Sequence, residues 1–300
     1  MRGFTQPAQQ YAFTHFSTSN GLVTNIINKI VQDHKGYIWI GTIDGLQRYD
    51  GNNFLTFRNE SSNPASLPGD YIKEVFEDKH NNLWVWSGDD VGIFNTNNFT
   101  YTHIPVEGET ENKKPFIRFL AQDGNGYAAV YVMNEGIYIY DNERKLFKQA
   151  AAINFEKDWP IIGMCSFPDE GKLFLTGTKG LIVYNFKTGH LNYKGHNIDN
   201  DKFVRQLIKD SGALYVYDCK DDELWYETWP LVKGAPFVNY INAATGKRKQ
   251  YSLSKEFNYN YIEIAGRLQQ HNGRQWFYGI SFILEFTGND AKPFIKIKNE

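Results

Sequence analysis

Carboxylates, histidines, cysteines and clustered aromatics are the side chains of this 300-residue sequence that could act on another molecule. Two carboxyl groups facing one bond can hydrolyse a glycoside, one as acid and the other as base or nucleophile. The runs Asp89-Asp90 and Asp221-Asp222-Glu223 offer such pairs, although adjacent acids in a polar loop are ordinarily solvated. Asp33 and Asp78 stand in matching contexts, one followed by Gly36, Ile38 and Trp39 and the other by Asn82, Leu83 and Trp84. A short carboxylate at a hairpin tip bonds the amides of its own turn. A residue that recurs unit after unit is therefore expected to shape the scaffold rather than to catalyse.

Metal and nucleophile chemistry find little support. The histidines at 15, 34, 80, 103, 190, 196 and 271 show no zinc spacing, and Cys165 and Cys219 make neither a metal cluster nor a disulfide framework. The sequence has no Gly-x-Ser-x-Gly elbow, no phosphate-cradling glycine loop and no dinucleotide fingerprint. No cofactor and no catalytic residue are expected. The densest aromatic run is CKDDELWYETWPLVKGAP, which brings Trp225, Tyr226 and Trp229 together. Such rings have apolar faces and polar tips that suit the C–H faces and hydroxyls of sugars.

Composition bounds the scaffold that must position these groups. The 32 basic and 34 acidic residues nearly cancel, so there is no electrostatic footprint for nucleic acid. Aromatics make up 16% of the chain, and such residues favour pleated, half-buried strands. No run approaches the roughly 18 apolar residues of a membrane span, and residues 1–10 lack the apolar core of a signal peptide.

Internal repetition carries the fold. The run Gln32–Thr42 is echoed at Glu77–Val85, and the anchors Trp39, Trp84, Ala129 and Phe174 recur every 45 residues, with Tyr215 and Trp276 continuing the series. Each unit parses into four short strands separated by turn residues, as in Ile26–Gln32, Tyr37–Gly41, Leu46–Tyr49 and Phe54–Phe57. A four-stranded meander of this period is a propeller blade. The expectation is a single all-β domain over 1–300, a β-propeller of four-stranded antiparallel blades. Its blades fall at 25–58, 70–104, 114–150, 159–195, 200–253 and 261–298, with residues 11–16 as a closing strand. Six repeats are visible, and the unpaired N-terminal strand favours a truncated seven-bladed ring.

The residues Asn20–Asn25, Gln32-Asp33, Gly36–Thr42, Asp44–Leu46 and Arg48–Gly51, with Ser66-Leu67-Pro68 before the second unit, resemble the two-component regulator propeller repeat. The match is close over 13–104, looser over 114–194 and weak beyond 200. The resemblance implies the periplasmic sensor half of a hybrid two-component protein, of a kind common in carbohydrate-degrading Bacteroidetes. The parent would add a further propeller, a β-sandwich linker, a membrane span and a histidine kinase, and none of these lies in this sequence. It would work as a homodimer, with the ligand an oligosaccharide or other small molecule and no nucleic-acid contact from this chain.

In a propeller the turns between second and third strands and the inter-blade links share one face. There the fifth unit reads as an insertion, Cys219–Pro236, between second and third strands, lifting Trp225, Tyr226 and Trp229 over the central opening. Asp44, Asp89, Asp90, Asn134 and Lys179 in the turns, with Asp70 and Trp159 at blade entries, complete the candidate ligand-binding set. A glycosidase or lyase and a non-catalytic dimerisation scaffold are the alternatives to a ligand sensor.

Overall fold

Alternating apolar residues and turn signals do build antiparallel meanders. The computed structural model describes residues 14–153, 159–207, 213–229, 237–253, 264–269, 273–279, 282–289 and 292–297. They form six four-stranded sheets, each paired in simple chain order, in a propeller arrangement. Blade one is Ile27–Gln32, Ile38–Thr42, Gly45–Tyr49 and Phe54–Phe57. Blade two is Ile72–Glu77, Leu83–Ser87, Asp90–Asn95 and Thr100–His103, and blade three Ile117–Gln122, Ala128–Val132, Gly136–Asp141 and Leu146–Ala152. Blade four is Ile161–Phe167, Lys172–Gly177, Gly180–Asn185 and His190–Tyr193. Blade five is Ala213–Lys220, Glu223–Trp229, Phe237–Asn242 and Arg248–Ser252, and blade six Ile264–Gln269, Gln275–Gly279, Phe282–Phe286 and Phe294–Lys296. Among the described residues no helix is long and apolar enough to cross a membrane.

The core is a series of sandwiches between neighbouring blades. Trp39 and Leu46 pack with Ile72, Val75, Val85 and Phe94 between blades one and two. Trp84 and Trp86 meet Val130, Tyr138 and Phe147 between two and three. Tyr131 and Ile137 meet Leu173 and Tyr184 between three and four, Phe174 and Val183 meet Leu224 and Tyr226 between four and five, and Trp225 and Tyr251 meet Phe277 and Phe294 between five and six. The face of blade six turned away from blade five carries exposed Leu268, Tyr278, Ile283 and Ile295, and blade one exposes Ile30. Of the closing segment 11–16, residues 11–13 lie outside the described residues. Thr14–Phe16 is not in a sheet, and Phe16 instead sets its ring edge-on against Tyr49 and Phe54 of blade one.

The turn aspartates act as the scaffold expects. Asp33 Oδ1 accepts from the amides of Lys35 and Tyr37, both at 2.9 Å, and its Oδ2 accepts from the Trp39 indole at 2.7 Å. Asp78 repeats this with His80, Asn82 and Trp84. The fourth position of each turn needs a left-handed backbone, met by Gly36 (φ 89°), Asn81 (φ 64°) and Gly126 (φ 88°). Blade three breaks the pattern at one atom. Asp123 Oδ1 accepts from Asn125 and Tyr127, but Ala129 replaces the tryptophan and the buried Oδ2 has no hydrogen-bond partner. Burial pushes the Asp123 carboxyl above the ordinary range against its backbone hydrogen bonds.

Blade five departs from the sequence reading. Ala213–Lys220 is its first strand rather than its second, and it turns at Asp221-Asp222 into Glu223–Trp229, pairing Lys220 with Glu223 and Tyr215 with Glu227. The anchor of this blade is thus Trp225, not Tyr215. The residues before it form a short helix, Lys202–Leu207, in place of the expected first strand. Asp201 caps this helix by accepting from the amides of Phe203 and Val204, and it holds Lys172 at 2.5 Å. Phe203, Val204 and Leu207 are buried between blades four and five, so the helix fills the wedge where the chain crosses between them.

Candidate functional site

The antiparallel order puts the second-to-third-strand turns and the inter-blade links on one face. The first strands of blades one and two, three and four, four and five, and five and six pack on one another, and the innermost strands of a propeller line its central channel. In several of them the pairing register slips close to where they leave that face. The slips lie between Ile27 and Lys29, Ile72 and Glu74, Ile161 and Gly163, and Ile264 and Gly266, with a matching one opposite Tyr131 and Val132 in blade three. A bulge inserts one residue and re-aims its side chain. The inserted residues of the first three blades are Asn28, Lys73 and Arg118, spaced at the repeat interval. Propensity cannot reveal such a device, because it depends on register between strands; the equal spacing was the only signal available.

Lys73 is the best-defined of these groups. Its ammonium lies 3.3 Å from Asp89 and 4.7 Å from the Trp86 ring centroid, so one cation is shared between a carboxylate and an aromatic face. Trp86 is largely buried, and its indole nitrogen has no hydrogen-bond partner. Asn28 donates to the Ile72 carbonyl at 2.8 Å and ties the mouths of blades one and two together. The Arg118 guanidinium stands 5.5 Å from the Phe119 ring centroid.

The expected site residues divide into three groups. Asp44, Asp89, Asp90, Asn134 and Lys179 all lie at the turns of this face, one or two per blade. Asp44 pairs with Arg58 at 2.9 Å, and Asp90 lies 3.4 Å from His103 and 3.6 Å from Lys114. Asn134 holds a left-handed backbone at φ 60° at its turn, and Lys179 is exposed. Asp70 accepts from the Asn59 amide, and its carbonyl receives the Gly45 amide. Trp159 is buried edge-on against Tyr193 and belongs to the core.

Trp225 and Tyr226 do not ride on a loop over the opening. They sit within the second strand of blade five, and both are buried. Trp225 packs against Tyr240, Tyr251, Phe277 and Phe286, with the Arg267 guanidinium 5.3 Å from its ring centroid. Trp225 thus takes the role that Trp39 and Trp84 play in blades one and two. Trp229 ends the same strand, and its side chain lies outside the described residues, as does the segment 230–236. Arg267 forms an ion pair with Asp218 across blades five and six, and burial lowers its guanidinium to about 10.

Among the described residues no group of three or more His, Cys, Asp or Glu is placed to hold a metal ion. Burial pushes the Cys219 thiol up to about 12 and the Cys165 thiol higher still, which disfavours the thiolate that nucleophilic or redox chemistry needs.

Comparison with known proteins agrees with the repeat. The model of the two component regulator propeller matches residues 21–44. Histidine kinase P4 of Formosa agariphila is 35% identical over 57 residues, covering 19% of this chain and 4% of that protein. The extracellular domain of the hybrid two component system BT3049 from B. thetaiotaomicron superposes with TM-score 0.65 at 17% identity, over 96% of this chain and 36% of that one. The extracellular domain of the one component system BT4673 from the same organism gives 0.63 at 16%, over 98% and 35%. A chain of the mitotic checkpoint complex reaches 0.60 at 11% identity, over 99% and 87%, so architecture alone does not select a function. This chain spans about a third of the two extracellular domains. It is a β-propeller that carries the two-component regulator propeller repeat and shares its fold with extracellular domains of two-component systems.

Proposed function

We propose that this propeller is the extracytoplasmic sensing module of a two-component signalling protein. In this reading it binds an oligosaccharide at the axial mouth and catalyses nothing. One observation supports the placement above the rest: bulges at a single repeat position set Asn28, Lys73 and Arg118 around the axis on the face that also carries the variable turns. A rigid ring with singular turn residues is the usual setting for recognition. Lys73, Arg118, Asn134 and Lys179 supply directional donors for hydroxyl or carboxylate oxygens, and Asp89 supplies an acceptor. Trp229 completes the proposed set as an aromatic contact. Binding would signal by favouring one of two arrangements of the parent protein, which requires unequal affinity for the two. The kinase, the linker and the periplasmic location belong to that parent.

The carboxylates do not favour a glycosidase. Asp44, Asp89 and Asp90 are each engaged with a basic side chain, whereas hydrolysis needs two carboxyl groups facing one bond. Incubation with a panel of plant and host glycans, followed by chromatography of the products, separates the readings. Captured but intact glycan is the expected result, and shortened glycan would make the protein an enzyme.

A further inference from the structure

Two aromatic rings stand exposed at the rim of the axial mouth, Tyr71 at 47% and Phe116 at 65% accessible. They occupy one repeat position, immediately before the first strands of blades two and three. The innermost strands of a propeller line its central channel, so the residues that lead into them border its opening. The Gly88 amide donates to the Tyr71 carbonyl at 2.9 Å, and the Met133 amide to the Phe116 carbonyl at 3.0 Å. Each ring is thereby mounted on the second-to-third-strand turn of its own blade.

Two residues after each ring comes a basic head at the bulge: Lys73 follows Tyr71, and Arg118 follows Phe116. Blades one and four have neither part. The same positions hold Ile26 with Asn28 in blade one, and exposed Pro160 with Ile162 in blade four. Of the four blades described at these positions, two and three alone combine a ring with a cation, and they are neighbours. The Lys73 ammonium lies 3.3 Å from Asp89, whose side chain is 95% exposed. So exposed a pair is weak, and a ligand carboxylate can take the place of Asp89. The other carboxylates close by are engaged elsewhere: Glu74 holds Lys29 at 2.9 Å, Asp90 is paired with His103 and Lys114, and Asp70 accepts from the Asn59 amide. Arg118 brings a planar fork of N–H donors, which fits a carboxylate bidentately.

This pairing selects a class of ligand. The C–H face of a pyranose packs on an aromatic ring, and neutral donors suffice for its hydroxyls. A cation at a fixed offset from the ring matches a sugar that carries its own negative charge, because a charge-assisted hydrogen bond is roughly twice as strong as a neutral one. Uronic acids have that form, a sugar ring bearing a carboxylate. Duplication of the pair on neighbouring blades calls for the acidic unit to recur along the ligand.

We propose that Tyr71 with Lys73, and Phe116 with Arg118, form two successive subsites for an oligosaccharide of uronic acids. Each subsite takes one sugar face on its ring and one carboxylate on its cation. The inference rests on the sensing reading and narrows it to an acidic glycan bound on blades two and three.

The test is calorimetric titration of the whole chain with tetrasaccharides of galacturonate, alginate and hyaluronan, each beside its carboxyl-reduced neutral counterpart. At least one uronate tetrasaccharide is expected to bind, and its reduced form about tenfold more weakly or worse. Tyr71→Ala and Phe116→Ala should each weaken uronate binding by about tenfold, with unchanged circular dichroism and melting temperature because both rings are exposed. Joint replacement, Lys73→Gln with Arg118→Gln, should bring the acidic and neutral forms to equal affinity, a convergence that lost packing alone does not produce. The free uronic acid should bind about tenfold more weakly than its tetrasaccharide. Equal affinity of the wild type for acidic and neutral forms, or binding unmoved by both ring substitutions, overturns the proposal and leaves the sensing reading in place. A free uronic acid bound as tightly as the tetrasaccharide overturns the paired subsites. If no uronate binds while another member of the plant and host panel does, the proposal fails and the sensing reading stands; if nothing in either set binds to the folded chain, both fail.

Discussion

Replacing Asp33 and Asp123 by asparagine should give opposite results, although the two residues hold the same position in their blades. At Asp33 the carboxylate uses both oxygens, and Oδ2 takes the indole hydrogen of fully buried Trp39. Asparagine keeps the acceptor for the two turn amides but points an N–H₂ group at the indole N–H. The loss is one hydrogen bond to a charged group, about 1.5–3 kcal/mol, with buried donors left unpaired in addition. A total near 3 kcal/mol is expected. At Asp123 the second oxygen has no partner to lose, and the substitution removes a buried charge. The two amide bonds weaken slightly while the desolvation of a carboxylate is relieved, so the change should lie within about 1 kcal/mol of zero. Urea denaturation at pH 7 measures both. The pH dependence adds a check. Burial raises the Asp123 carboxyl in the folded state, so this group favours folding in its protonated form. That contribution is complete below the ordinary carboxyl range near 3.9 and is lost as pH rises through the folded-state value. Asp123→Asn should therefore compare best with the wild type at neutral pH, and its relative standing should fall on acidification. Equal losses at positions 33 and 123 would refute the argument from the unpaired oxygen.

Two further outcomes follow from the packing. Trp225→Ala should cost about 3–5 kcal/mol as a core truncation and leave ligand affinity unchanged at temperatures where the variant is folded. A selective loss of affinity with full stability would return Trp225 to the binding surface. Cys165 and Cys219 should resist thiol reagents in the native protein at pH 8 and react on unfolding in urea, because burial raises both thiols. Rapid native labelling followed by mass spectrometry would contradict the low native reactivity expected of both.

The blades were legible where local chemistry repeats. The strand–turn chemistry of Asp33–Gly36 and Asp78–Asn81 predicts hairpin tips, and the structure has them with the expected amide bonds. Blade five departs from the sequence reading because its first strand, Ala213–Lys220, alternates as well as any second strand does. The apolar spacing of Phe203, Val204 and Leu207, behind the capping residue Asp201, is a helical signal that a uniform repeat conceals. The carboxylates Asp221 and Asp222, which read as candidate chemistry, make a two-residue turn with Asp221 at φ 54°. That shift in register carried Trp225 and Tyr226 from a loop into the core. Lys73 and Arg118 were missed at the candidate site for a different reason. Nothing in their own residue type marks a bulge, which arises from the mismatch between two paired strands.

Calorimetric titration of the chain with glycans retained in a capture screen, repeated with Lys73→Ala and Lys179→Ala, tests the central claim most directly. The account predicts saturable binding of intact oligosaccharide to the wild type, weakened at least tenfold when Lys73 is removed and the fold is kept. Absence of binding by the folded chain across the panel, or binding indifferent to both lysines, would contradict the placement of a sensing site at the axial mouth.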